Sequence, residues 1–183
     1  MYSDEQIRQL FGDESLTYVK NKHRGGASNE KGNTNENFYA TYKIALLSAA
    51  VIEKQADITF YSQILSFVDD LIIFNGTKDS LQHNQLKNSS NISWGSGFKS
   101  ISDDFKKQTV LNQSRGKDSE MDIVVSDRQL QQRLTASCPA DIQAFSKVAY
   151  FPHKASLTQV IDAVPKFAKA IRYLCAFEDP APD

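Results

Sequence analysis

The clearest pattern along the chain is a helical one between about residues 35 and 54. Apolar side chains recur there at the spacing of one helix face, at Phe38, Tyr42, Ala45, Leu46, Ala49 and Ile52. The pattern predicts an amphipathic helix whose apolar stripe packs on the core. Glu36, Tyr39 and Lys43 fall on a neighbouring polar line of this helix. Glu36 either complements the helix dipole in the first turn or points into a metal site.

Weaker helical patterns predict four further helices, at residues 1–20, 100–112, 127–137 and 157–177. The first is a short amphipathic segment that packs on the domain or on a partner. Ser102, Asp127 and Ser156 are the expected N-caps of the other three. Pro165 is expected to kink or split the last helix, because proline removes a backbone donor.

Runs of β-forming residues predict strands between these helices, at residues 58–68, 71–74, 81–87, 121–126 and 145–151. Asn75 to Asp79 has the composition of a turn. Side chains alternate along a strand, so Gln85 and Lys87 share one face and Leu86 lies on the opposite, core-facing one. The order of elements predicts an α/β domain with a central mixed sheet and helices on both faces.

Two polar stretches are predicted to be loops. Residues 21–37 carry several glycines and asparagines, and form either a plain surface loop or a loop that brings Arg24 and backbone N–H groups to a phosphate. Residues 88–97 carry Trp94, which either covers the edge of the core or stacks near a substrate.

Composition narrows the class of protein. The chain has 183 residues, 40% of them hydrophobic, which suits one domain at residues 1–177 and a linker-like tail at 178–183. It has no apolar run of transmembrane length and no secretion signal, so we expect a cytoplasmic protein whose Cys138 and Cys175 are small buried thiols. A net charge of −1 argues against a passive DNA coater but not against a metal-using enzyme.

The candidate chemistry lies at the central strands. Asp69 and Asp70 precede an apolar strand, and Gln85 and Lys87 end the next one. Mg²⁺ prefers oxygen ligands, which an aspartate and an amide oxygen can supply. A lysine on the same face can orient a water or stabilise phosphate charge. Neighbouring strand residues point to opposite faces, so only one of the two aspartates is expected to reach a metal.

Four motifs in order resemble the double-stranded DNA nuclease domain of bacterial anti-phage effectors, in the PD-(D/E)xK superfamily. They are Arg24-Gly-Gly, the segment from Gly32 to Lys43, Asp69-Asp70 before an apolar strand, and Gln85-Leu-Lys87. The match spans roughly residues 24–90. It implies a restriction-endonuclease-like fold and a DNA endonuclease that uses Mg²⁺ or Mn²⁺.

The resemblance also implies the roles of individual residues. Asp70, Gln85 and Glu36 are the expected metal ligands, and Lys87 is the expected catalytic lysine. Asp70 is preferred over Asp69 because the aspartate of the family directly precedes the apolar strand. Gln85 departs from the superfamily pattern, since most members have glutamate there. Arg24, Lys43, Lys106 and Lys107 are the predicted DNA contacts, although Lys106 and Lys107 also fit a solvated helix face.

The implied partners are double-stranded DNA and either a regulatory or sensing protein or a further C-terminal domain, within an oligomer. Two other interpretations stay open. Gln85 and the weakly acidic charge fit a catalytically inactive subunit of the same fold that serves DNA binding or complex assembly. Alternatively, the chain is an unrelated α/β domain in which Asp70 and Lys87 lie more than about 10 Å apart, beyond any shared metal shell.

Overall fold

The structure, a computed structural model, describes residues 2–26, 30–89, 91–152 and 156–176. The helices in these ranges are α1 (Asp4–Gly26), α2 (Glu30–Lys54), α3 (Ile101–Gln113), α4 (Arg128–Ala136), α5 (Leu157–Ala163) and α6 (Pro165–Cys175). The strands are β1 (Ile58–Tyr61), β2 (Leu71–Asn75), β3 (Ser80–Lys87), β4 (Asp118–Val125) and β5 (Ser146–Tyr150). The predicted tail, residues 178–183, lies outside the described residues.

The five strands form one mixed sheet in the order β1-β2-β3-β4-β5. The first three strands are an antiparallel meander, and β4 and β5 continue the sheet parallel to β3. Parallel neighbours need crossover connections, which contain α3 and α4 here. The prediction of an α/β domain with a mixed sheet and flanking helices is therefore confirmed.

Hydrophobic clusters cover both faces of the sheet. On one face, α2 and α6 pack against β2, β3 and β4 through residues such as Tyr39, Leu86 and Phe167. On the other face lie α1, α3 and α4, with Phe67 and Phe105 fully buried. Leu86 faces the core as predicted. Because the opposite face is covered as well, Gln85 is also buried, with 3% of its surface exposed.

The predicted loop at residues 21–37 is wrong for most of its length. Residues 21–26 complete α1 and residues 30–37 begin α2, while residues 27–29 lie outside the described residues. Tertiary contacts outweigh the weak helix propensity of this polar stretch. One such contact joins buried Asn35, on α2, to the Asn88 side chain at 2.8 Å. Arg24 consequently lies exposed in the last turn of α1, where a cation complements the helix dipole.

The buried face of α2 is also rotated from the predicted one. Phe38 is 46% exposed and Ile52 is equally exposed, whereas Tyr39 is buried. The hydroxyl of Tyr39 donates to Asn84 Oδ1 on β3 at 3.0 Å, which satisfies its polar tip inside the core. The predicted places of Phe38 and Ile52 on the apolar stripe and of Tyr39 on the polar line are therefore wrong.

The predicted strand at residues 58–68 ends early, because β1 stops at Tyr61. The chain then follows an irregular path to Asp70 with Phe67 and Val68 fully buried. The Gln108 side chain of α3 anchors this path, since its Oε1 accepts from the Phe67 N–H at 2.8 Å. A side-chain partner thus replaces the strand partner that this backbone would otherwise need.

Helix ends agree with the sequence more often than they differ. Asp127 caps α4, Ser156 forms a capping box at α5, and Pro165 divides the last helix, as predicted. Ser100 caps α3, so the assignment of that cap to Ser102 is wrong. The Ser102 hydroxyl donates instead to the carbonyl of Trp94 at 3.3 Å.

Three smaller predictions have mixed outcomes. Trp94 covers the core, and its Nε1 donates to the Leu134 carbonyl at 2.8 Å. The cysteines are not the buried thiols expected, because Cys138 is half-buried beyond the end of α4 and Cys175 is exposed on α6. Among the helices in the described ranges, none combines the length and apolar character needed to cross a bilayer.

Candidate active site

Asp70 and Gln85 meet side by side on the sheet. Leu71 pairs with Asn84 in the register of β2 and β3, so the residue before Leu71 falls beside Gln85. Asp70 Oδ2 accepts from Gln85 Nε2 at 2.5 Å and from the Leu86 N–H at 2.6 Å. The polar pair predicted from two separate motifs is therefore one hydrogen-bonded unit at the start of β2.

Lys87 lies near this unit at the end of β3, partly buried. Burial lowers the pKa of its ammonium group, and the negative charge of Asp70 counteracts part of that effect. Lys87 lies two residues beyond Gln85 on the same strand face, and Gln85 bonds directly to Asp70. This proximity speaks against the interpretation in which the two residues are remote.

Glu36 approaches the same place from α2. The helix begins six residues before it, so Glu36 lies in the second turn, beyond the reach of a simple helix-dipole explanation. Burial raises the pKa of its carboxyl group, and the charge of Asp70 raises it further. Glu36 and Asp70 line one open cleft of about 340 Å³, together with Tyr61 and Gln63.

Asp69 turns away from that cleft. Its side chain is buried, with Oδ1 3.6 Å from Lys22 Nζ and without a hydrogen-bond partner among the described residues. Burial raises the pKa of its carboxyl group to about 6, against the lowering effect of Lys22. The two aspartates therefore have different environments, and Asp70 is the one that meets Gln85 and the cleft.

Lys22 is a site residue that sequence reasoning missed. From α1 its ammonium donates to Gln85 Oε1 at 2.9 Å, to Asp104 Oδ2 at 3.1 Å and to the carbonyl of Phe67. Burial alone would lower the pKa of Lys22, but the carboxylates of Asp104 and Asp69 raise it above its ordinary value. Lys22 follows the buried Val19 by three residues, so in a helix both lie on the same side. That spacing could have identified Lys22, but the polar composition of residues 21–37 predicts a loop.

Asp104 is the second missed residue. It lies in the first turn of α3, where an acidic residue is unremarkable because it complements the helix dipole. Its Oδ2 accepts from Tyr18 at 2.9 Å and from Lys22, while Oδ1 is buried with no partner in the described part of the chain. Two buried carboxylates, Asp69 and Asp104, therefore face one ammonium.

The predicted DNA contacts have partners of their own, although Lys107 also lies 5.7 Å from the centre of the ring of Phe67, whose carbonyl binds Lys22. Lys106 pairs with Asp141, and Lys107 donates to Asp103 at 2.8 Å while lying 4.4 Å above the Phe98 ring. Lys43 lies 5.8 Å from the centre of the Tyr39 ring, and burial lowers the pKa of its ammonium despite the charge of Asp122. Arg24 is exposed at the end of α1. Their role at DNA stays a prediction.

The donors at the cleft suit a hard divalent cation. Asp70 and Glu36 supply carboxylate oxygens. Burial raises the pKa of Glu36, and repulsion from Asp70, which a cation would relieve, raises it further. Gln85 has an amide oxygen beside them, at present bound to Lys22. Among the described residues, no three His, Cys, Asp or Glu side chains form a ready-made metal cluster, so the predicted set depends on that amide.

Comparisons of this chain with models of protein families, with curated proteins and with solved structures gave no match. The roles of Asp70, Gln85, Lys87 and Glu36 are therefore inferred from their chemistry and their positions. What the arrangement can do chemically is hold a cation beside a partly buried lysine, at the edge of an open cleft.

Proposed function

We propose that this chain is a metal-dependent DNA endonuclease with a restriction-endonuclease-like core. The observation that supports it best is the convergence of four side chains at one place. Asp70 bonds to Gln85 and lines one cleft with Glu36, and Lys87 lies two residues beyond Gln85 on the same strand. Those residues come from a helix, the start of one strand and the end of the next, in the order that the resemblance requires.

The arrangement of the strands supports the proposed fold family. Asp70 opens the middle strand of the antiparallel meander, and the Gln-x-Lys pair lies on its neighbour β3. A crossover through α3 then adds β4 parallel to β3. Because α2 and α1 pack on opposite faces of the sheet, Glu36 and Lys22 reach the Asp70 region from different sides.

Each residue has a distinct role in the proposed reaction. Asp70 and Glu36 would hold the cation, and Gln85 would add its amide oxygen, which now accepts from Lys22. A bound Mg²⁺ or Mn²⁺ would supply an activated water and neutralise charge on the phosphate. Lys87 orients the water or stabilises phosphate charge as a compact cation.

The wider role rests on the resemblance of residues 24–90. It leads us to propose an effector of bacterial anti-phage defence that acts on double-stranded DNA in the cytoplasm. A regulatory or sensing partner, or a further domain, and an oligomeric assembly belong to the same proposal. Such control suits a nuclease, because uncontrolled cutting would harm the host.

Cleavage of supercoiled plasmid with Mg²⁺ or Mn²⁺ tests the proposal. We expect Lys87→Ala to lower the cleavage rate at least ~100-fold, as removal of a group that positions or transfers a proton does. Lys78→Ala is the matched control, since Lys78 is exposed in the turn between β2 and β3. Equal cleavage rates for the wild type and Lys87→Ala would show that Lys87 is not catalytic.

One observation favours a second candidate, a catalytically inactive subunit of the same fold. Both ends of the Gln85 amide already have protein partners, Asp70 and Lys22, so the amide is satisfied without a cation. Such a subunit would bind DNA or assemble a complex. DNA binding without cleavage, across Mg²⁺, Mn²⁺ and other divalent metals, would favour this candidate.

A further inference from the structure

The Gln85 amide lies between two partners with opposite demands. Its Nε2 donates to Asp70 Oδ2 at 2.5 Å, and its Oε1 accepts from Lys22 Nζ at 2.9 Å. A carboxylate can only accept hydrogen bonds, and an ammonium can only donate them. The amide therefore has a single favourable orientation, with its oxygen toward Lys22 and away from Asp70.

Lys22 is held in place by more than this amide. Its side chain is 19% exposed and also contacts Asp104, Asp69 and the carbonyl of Phe67. The carboxylates of Asp69 and Asp104, whose Oδ1 atoms have no hydrogen-bond partner among the described residues, attract the ammonium. Because these attractions do not depend on Gln85, Lys22 stays near the amide whichever way the amide turns.

Coordination of a metal beside Asp70 by the Gln85 oxygen requires the opposite amide orientation. The Gln85 oxygen would have to turn toward a cation beside Asp70, and its NH₂ group would then face the ammonium of Lys22. Two hydrogen-bond donors, the Gln85 NH₂ group and the Lys22 ammonium, would then face each other in a buried site, where a polar group without a partner is costly. The present contact and a metal-bound Gln85 thus exclude each other.

We propose that Lys22 is an internal cation that competes with the divalent metal for the Gln85 oxygen and thereby keeps the site in a metal-free state. The proposal rests on the proposed function, since it assumes a metal at Asp70. It makes Lys22, on α1, a control point of the site. Whatever shifts Lys22 away from Gln85 favours metal binding.

Calorimetric titration with Mn²⁺ alone tests this competition without any DNA. Methionine keeps the length of the Lys22 side chain but removes its charge and its donors, so we expect Lys22→Met to bind Mn²⁺ at least ~10-fold more tightly than the wild type. Lys20→Met is the matched control. It removes the same charge from α1, where Lys20 pairs with Asp4 at the surface, and should bind as the wild type does.

Lys22→Met leaves two buried carboxylates without a counter-charge, which could destabilise the fold. A second variant therefore controls for misfolding. Lys22→Met with Asp104→Asn removes one of them and is expected to show the same gain in affinity. A structural defect alone would weaken Mn²⁺ binding, and new binding by the freed carboxylates of Asp69 and Asp104 would not need Asp70. The result that supports competition is therefore a gain that Asp70→Asn abolishes. Unchanged or weaker binding in both variants would overturn the proposal.

Asp70→Asn separates this inference from the proposed function. One outcome is that the wild type binds Mn²⁺, Asp70→Asn does not, and Lys22→Met binds no more tightly than the wild type. That outcome supports a metal site at Asp70 and overturns the competition. Tighter binding by Lys22→Met that also needs Asp70 supports the competition even if no variant cleaves DNA, in which case the endonuclease proposal fails alone. Absence of Mn²⁺ binding in every variant overturns the competition and the metal site together.

Discussion

Two buried polar networks lie on the same face of β3, two residues apart, and they are built differently. The first surrounds His83, which is fully buried. Its Nδ1 lies 2.8 Å from the Val68 carbonyl, and its Nε2 lies 3.2 Å from both the Tyr2 hydroxyl and the Asn112 amide. Gln108 completes this network by donating to Asn112 at 3.1 Å. The side chains around His83 are formally neutral, and the ring uses both its nitrogens.

The second network surrounds Gln85 and carries formal charges. Lys22 is shared between Asp69, Asp104 and Gln85, and two carboxylate oxygens lack hydrogen-bond partners within the described ranges. It also opens through Asp70 onto the cleft. A satisfied neutral network serves stability, whereas a charged and partly unsatisfied one beside a cleft is typical of a functional site.

The neutral network supports the charged one. His83 and Gln108 bind backbone groups of Phe67 and Val68, immediately before the two aspartates. This anchoring holds the irregular path into β2 and thereby sets where Asp69 and Asp70 point. Changes in the first network should therefore reduce stability, and loss of the proposed metal ligands at the second should reduce activity.

The largest expected effect is on activity. Asp70→Asn keeps the size of the side chain but removes the charge that would hold the cation, so we expect plasmid cleavage to fall at least ~100-fold. Thermal unfolding should change little. Asp79→Asn, in the exposed turn before β3, is the control. Full cleavage by Asp70→Asn would show that the charged network is not the reaction site.

The next effect is on stability. Asn112 is fully buried and has Tyr2, Gln108 and His83 as partners, so Asn112→Ala leaves several polar groups unpaired. We expect urea unfolding to show a loss of roughly 3–4 kcal/mol in the free energy of unfolding. Gln113→Ala, exposed on the same helix, should have little effect. If Asn112→Ala instead abolished cleavage while the fold kept its stability, the division between the two networks would be wrong.

The neutral network should also show a pH dependence of stability. Burial lowers the pKa of His83 to about 4, so between pH 6.5 and 4 the unfolded chain takes up a proton that the folded chain does not. The stabilising contribution of neutral His83 is complete above pH 6.5 and is lost as pH falls toward 4, by about 2–3 kcal/mol.

Asp69 titrates in the same range with the opposite sign, because its pKa is raised to about 6. The measurement is therefore the difference in unfolding free energy between the wild type and His83→Gln, which cannot titrate at this position. As pH falls from 6.5 to 4, the unfolding free energy of the wild type should fall relative to that of His83→Gln. A constant difference would mean that His83 is protonated equally in both states.

The smallest effect is expected at the surface. Lys106 forms an exposed ion pair with Asp141, so Lys106→Ala should change stability by less than ~1 kcal/mol. If Lys106 contacts a DNA phosphate, the variant should lower the salt slope of DNA binding by about 1 in a fluorescence anisotropy titration. Lys166→Ala, exposed on α6, is the control. If Lys106→Ala and Lys166→Ala showed the same salt slope of DNA binding, Lys106 would not contact DNA.

The central part of the site could be predicted from the sequence because its determinants are local. The turn after Asn75 sets the register of β2 and β3, and strand alternation then places Gln85 and Lys87 on one face beside Asp70. The helix that carries Glu36 has a strong apolar pattern. Few long-range contacts are needed to bring these residues together.

The rest of the site could not be predicted because it depends on tertiary contacts. Lys22 lies in a polar stretch that becomes helical only because α1 packs on the core, and its partner Asp104 comes from a helix far along the chain. Tyr39 replaces Phe38 on the buried face of α2 because Asn84 accepts its hydroxyl. Neither partner can be inferred from residues adjacent in sequence.

The most direct test of the central claim is the position of the metal. Crystals soaked in Mn²⁺ should give an anomalous difference peak about 2.1 Å from carboxylate oxygens of Asp70 and Glu36, with the Gln85 oxygen turned from Lys22 toward it. A peak at other residues with the Asp70 cleft empty would contradict the account. So would a metal at Asp70 with the bond between Lys22 and Gln85 still intact.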